Sequence, residues 1–186
     1  MDTVGNFYVN LVLKADASHV LDALRSLRRT ALVAAVPEQL AVVVDRQCEH
    51  QDLAQLETLA VTLSRRLECP VVSCVNHDDD ALILALHRGG VLELQWGWRA
   101  WWAPQNVPRG SPERFVAAVR GALGTVPRPM VRHGVRGWLW TRFVAVAAHQ
   151  QLAARTGLPP ESVGAGYDYV QRGDVALRPG IRFVPA

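Results

Sequence analysis

The chain has 186 residues, 49% of them hydrophobic, and a net charge of +3 at neutral pH, which suits one well-buried core or one core with an appended subdomain. No apolar run approaches the ~20 residues that span a bilayer, and the start, Met1-Asp2-Thr3-Val4-Gly5, lacks the basic and apolar regions of a secretory leader, so the expectation is a cytoplasmic protein with no membrane contact. Cys48, Cys69 and Cys74 are an odd, sparse set that argues for reduced thiols rather than a disulfide framework.

In chain order, Phe7 to Leu13 has the density of Phe, Tyr, Val and Leu expected of a strand. Asp16 then offers an N-cap to a helix whose Val20, Leu24 and Leu27 recur at helical spacing. Thr30–Val36 and Leu40–Val44 are short apolar runs separated by Pro37-Glu38, which predicts a hairpin. Asp52 caps a second helix with Leu53, Leu56, Leu59, Leu63 and Leu67 on one face. It stops at Cys69-Pro70 because a residue before proline leaves the α region. Val71–Val75, Ala81–Leu86 and Val91–Trp96 read as three strands joined by Asn76-His77-Asp78-Asp79-Asp80 and by Gly89-Gly90. The order βαββαβ followed by a meander predicts an α+β fold over residues 1–96, a ferredoxin-like split βαβ sheet with extra strands.

Residues 97–186 predict a helical extension packed on that core. Gly97–Gly110 reads as an irregular arm. Ser111-Pro112-Glu113 is a helix start with Ser as cap, Pro at the first helical position and a carboxylate near the positive dipole end, and the helix should end at Gly124. A second helix is expected over Leu139–Thr156, stopped by Gly157-Leu158-Pro159. Tyr167–Val170 reads as a short strand with Gly173-Asp174 as its turn, and the segment through Phe183 as an extended surface tail. The extension is also the basic part of the chain. Residues 1–96 carry 8 Lys/Arg against 13 Asp/Glu, a balance of −5, whereas residues 97–186 carry 12 Arg against 4 acids, a balance of +8. Attraction between the two halves is therefore expected.

The Phe7-Tyr8-Val9-Asn10 strand, the Cys-Pro-Val and Asn-His-Asp-Asp-Asp sequence between Cys69 and Asp80, and Leu158-Pro159 followed by Gly166-Tyr167 together resemble an uncharacterised family of bacterial proteins. The resemblance covers most of residues 6–96 and a short C-terminal piece, and the Trp96–Arg109 arm departs from it. It implies a bacterial source and one coherent fold, and it brings no assigned activity.

Two segments hold candidate functional residues. At the acidic turn, His77, Asp78 and Asp80 are the ligands of a metal reading, in which hard oxygens and an imidazole hold Mg²⁺ or Mn²⁺ for a metal-dependent hydrolase or phosphoryl-processing enzyme. The competing reading is a charged hairpin tip that satisfies its own backbone and resists edge pairing. Cys48-Glu49-His50 with Cys69, Cys74 and His77 offers zinc-competent types without a standard spacing, and a Cys74–His77 nucleophilic pair lacks an orienting acid. In the basic half, Trp98, Arg99, Trp101, Trp102, Arg132 and Arg136 are the binding candidates. Trp and Arg together favour interface anchors and bidentate anion contacts. With Arg128 and Arg142 they also suit a single-stranded nucleic acid, and they could instead dock on the chain's own core. The expectation is a non-enzymatic protein that contacts another protein or a second copy of itself, with no catalytic residue and no cofactor.

Overall fold

The structure is a computed structural model that describes residues 7–100, 108–128, 145–175 and 177–186. Its strands are β1 (Tyr8–Leu13), β2 (Ala31–Val36), β3 (Leu40–Asp45), β4 (Val71–His77), β5 (Ala81–Arg88), β6 (Val91–Trp98) and β7 (Phe183–Pro185). Its helices are α1 (Ala17–Ser26), α2 (Leu53–Arg66), α3 (Pro112–Leu123), α4 (Ala145–Thr156) and α5 (Tyr167–Arg172), with 3₁₀ turns at Arg46–Cys48 and Pro160–Ser162. The strands form one antiparallel sheet in the order β6-β5-β4-β1-β3-β2-β7, and the fold is α+β. Among the described residues, no helix is long and apolar enough to cross a membrane.

Caps written into the sequence set the helix starts. The Asp16 carboxylate accepts from Ser18 N at 2.8 Å, and Asp52 accepts from Ala54 N at 3.0 Å and Gln55 N at 3.1 Å. Ser111 Oγ accepts from Arg114 N at 3.2 Å, and α3 ends on Gly124 at φ +64°. Each side-chain cap is worth about 1 kcal/mol.

Strands β1, β3, β4 and β5 are almost wholly buried because both faces of the sheet are covered there. Alternate residues point to opposite sides: Val9, Leu11 and Leu13 of β1 face Val20 and Leu24 of α1 and Leu56, Leu59 and Leu63 of α2. Tyr8 and Val12 face the other way, into a layer that includes Phe115, Val119 and Leu123 of α3 and Leu152 of α4. That second layer is contributed by residues beyond 96, and it also receives Val72, Leu84 and Leu94.

Three details differ from the sequence reading. Tyr167–Val170 is helical, because the Glu49 side chain reaches the start of α5 and accepts from Tyr167 N at 2.8 Å and Asp168 N at 3.3 Å. Those two amides would otherwise lack partners. Gly97 and Trp98 belong to β6, where they pair with Ile83 and Leu82, and not to the arm. The C-terminal segment forms edge strand β7 on β2 rather than a surface tail. Helix α4 is described from Ala145 onward, and the expected start at Leu139 lies outside the described residues.

Candidate functional site

The acidic turn is tied into the molecule at almost every position. Asp80 N donates to the His77 carbonyl at 2.9 Å, with Asp78 and Asp79 at φ +53° and +54°, the left-handed pair of a type I′ hairpin turn. This breaks the strand alternation across the five residues. Asn76 is fully buried and its Nδ2 donates to Asp79 Oδ1 at 3.1 Å, while the Asp79 carbonyl accepts from Ala145 N, at the start of α4, at 2.7 Å. Gln51 Nε2 donates to the Asn76 carbonyl at 2.6 Å, Gln51 Oε1 pairs with His77 Nδ1, and the Phe7 ring meets His77 edge-on at 5.2 Å. Asn76 and Asp79, which the metal reading passed over, are the residues that fix the turn. His77, Asp78 and Asp80 are exposed.

Asp80 lies instead on the rim of a surface pocket of about 490 Å³ lined by Gly97, Arg99, Ala100 and Arg109. One metal candidate and one binding candidate therefore meet at the corner where β5 begins and β6 ends. Arg99 turns at φ +52°, and its guanidinium carbon sits 4.9 Å from the centre of the Trp98 ring. Trp98 is half-buried against the second core layer. Arg109 is placed by backbone pairing: Gln95 N donates to the Pro108 carbonyl at 2.7 Å, and Gly110 N donates to the Gln95 carbonyl at 3.0 Å, so residues 108–110 cover part of the outer edge of β6. No family model, curated protein or solved structure matches the chain. Trp101, Trp102, Arg132 and Arg136 lie outside the described residues.

Sequence reasoning missed a second cluster, buried between the sheet and the C-terminal helices. Tyr8, Asn10, Cys74 and Asn76 occupy neighbouring strands in the registers Tyr8↔Asn76 and Asn10↔Cys74, all on the face that meets α4. His149 Nδ1 lies 2.9 Å from Tyr8 Oη and 3.6 Å from Cys74 Sγ. Asn10 Nδ2 donates to the Ser162 and Ala165 carbonyls at 2.7 and 2.8 Å. The Oδ1 atoms of Asn10 and Asn76 are buried without a hydrogen bond. Burial raises the Tyr8 phenol and the Cys74 thiol well above their ordinary ranges, with the neighbouring Cys74 adding to the Tyr8 shift, and holds His149 down to about 3. The local signals were Asn10 inside the first apolar run and Asn76 directly after the Val71–Val75 run.

The remaining thiols are separate. Cys48 adjoins Arg29, which pairs with buried Asp45, and burial pushes its thiol up to about 12. Cys69 is buried, with its thiol raised to about 11 by burial. Cys74 therefore meets His149 and not His77. Among the described residues, no three His, Cys, Asp or Glu side chains gather as a metal set.

Proposed function

We propose that this chain works by binding a protein partner, and that the pocket framed by Arg99, Arg109 and Asp80 receives an acidic side chain or chain terminus of that partner. The carrying observation is that two arginines from separate segments, one following β6 and one held along its edge, line the same pocket. Guanidinium groups present planar donor forks suited to carboxylates, and a pocket of a few hundred Å³ accommodates a side chain or short segment. Asp80 on the rim selects among acidic partners by favouring one with a base nearby. A second copy of the chain is a partner of the same chemistry.

The fold supports this placement. We read the order β4-β1-β3-β2, with α1 and α2 packed on one face, as the ferredoxin-like unit, extended by β5 and β6 and covered by residues beyond 96. The second sheet face is then occupied by the chain's own helices, which leaves the rim for recognition. Trp98, partly buried beneath Arg99, favours a protein contact over base stacking, and the engagement of His77 by Gln51 and Phe7 supports a turn over a metal-dependent hydrolase. A cytoplasmic location belongs to the same proposal.

Fluorescence anisotropy with a short labelled Glu/Asp-rich peptide and a labelled single-stranded oligonucleotide tests the reading. The peptide is expected to bind, with affinity falling at least about tenfold, or about 1.4 kcal/mol, in an Arg99→Ala/Arg109→Ala variant. Binding of the oligonucleotide alone, steeply weakened by salt, would favour nucleic acid. Binding of neither would remove the proposal.

A further inference from the structure

We infer that residues 177–186 form an autoinhibitory strap, which keeps the β2 edge from pairing with the β2 edge of a second copy of this chain. This edge is at the opposite end of the sheet from the pocket of Arg99 and Arg109. Strand β2 reads Ala-Leu-Val-Ala-Ala-Val, with neither a charge nor a proline. Natural sheets usually place one or the other on an edge strand, because a bare row of N–H and C=O groups is a template for another strand. β3 covers one side of β2 and β7 the other, so without the strap β2 would be an unprotected edge. Two copies of it laid antiparallel would meet no like charges and no missing donor.

The strap supplies the protection that β2 lacks. Ala186 N donates to the Ala31 carbonyl at 2.9 Å, in line with the registers Leu32↔Pro185 and Val33↔Val184. Hydrogen-bonded and non-hydrogen-bonded pairs alternate along an antiparallel ladder, so Val184 turns its backbone groups toward β2 and Pro185 turns its own outward. The proline therefore costs β2 no bond, and it leaves the outer side of β7 a single donor, Phe183 N, next to the exposed Arg182, a poor template for a further strand. The attachment rests more on side chains than on the backbone. A tight turn, with Ile181 N donating to the Arg178 carbonyl at 3.1 Å and Gly180 at φ +88°, sets Arg178 Nε 3.0 Å from Oε1 of Glu161, a carboxylate only 2% exposed. Phe183 packs against Val44, Ala165 and Tyr167. The strand pairing itself is three residues long, so the strap opens locally while the rest of the sheet stays folded, and reversing the charge at Arg178 favours the open form because it leaves Glu161 beside a like charge.

Light scattering of the full chain over a concentration series tests this, with Arg178→Glu and Val184→Pro to release the strap. Each variant is expected to associate at a concentration at least about tenfold lower than the wild type. Ala35→Lys, which adds a charge at an exposed β2 position outside the β7 register, should abolish that gain, and so should a peptide of residues 177–186 added in excess. Arg99→Ala/Arg109→Ala should leave the gain unchanged. Hydrogen exchange of the wild type serves if neither variant folds: the amides of Val33 and Val184 should exchange at least about tenfold faster than those of Leu11 and Val12 in β1. Folded variants no more associated than the wild type overturn the inference, as does association that survives Ala35→Lys and the peptide, or exchange at Val33 and Val184 as slow as in β1.

Discussion

His149 is neutral in the folded chain at physiological pH because burial disfavours its charged form, holding it to about 3 where an unperturbed histidine sits at 6.5. Between those values the unfolded chain takes up a proton that the folded one refuses. Stability is therefore full above this window and falls as pH drops through it, by up to roughly 1.4 kcal/mol per pH unit. His87, held down to about 4 by burial, adds to the same trend. Urea unfolding should show a steeper loss between pH 6 and pH 4 for the wild type than for His149→Gln, by about 1 kcal/mol per unit. Equal slopes would contradict the buried placement. Nothing in the Ala-rich stretch around His149 announces this role, since it depends on which face of α4 meets Tyr8. The acidic turn was conspicuous in the sequence for the opposite reason. Its charged side chains stand out locally, yet the buried member, Asn76, and the half-buried one, Asp79, do the fixing.

At the level of elements, helices whose ends are capped by neighbours in the chain were legible, as with Asp16, Asp52 and Ser111. Helix α5 was not, because its first amides are satisfied by Glu49 from the other half of the chain, and the Tyr-x-Tyr-Val alternation imitates a strand. Gly157 shows how a helix end is fitted to its neighbour. It adopts φ +77°, and a Cβ there would run into the Val126 carbonyl and come within 2.7 Å of Thr125 Cβ. Gly157→Ala should therefore cost about 2 kcal/mol or more. Gly121 lies inside α3, where an added methyl group would meet nothing within 4 Å, and it should gain up to about 1 kcal/mol from the same change. Thermal unfolding checks both signs, and a Gly157→Ala chain as stable as wild type would contradict the packing.

Across the whole molecule, the two halves share a core layer. Among the described residues, Arg128–Glu38 at 3.7 Å is an ion pair between the halves, whereas Arg29–Asp45, Arg155–Glu113 and Arg178–Glu161 each stay within one half. The halves meet through the apolar layer of Phe115, Val119, Leu123 and Leu152 against Val72, Leu84 and Leu94, each fully buried side chain contributing about 1.5–3 kcal/mol. The count of charges in the sequence showed an asymmetry but could not say which groups meet. The proposed recognition site lies at the rim, at the corner built by the acidic turn, the end of β6 and the segment pinned beside it. Hydrogen exchange of the full chain with and without a Glu/Asp-rich peptide tests this most directly. The account predicts slowed exchange at the amides of Trp98, Arg99 and Ala100 and around Arg109. Protection confined to other surfaces, or none at saturating peptide, would contradict it.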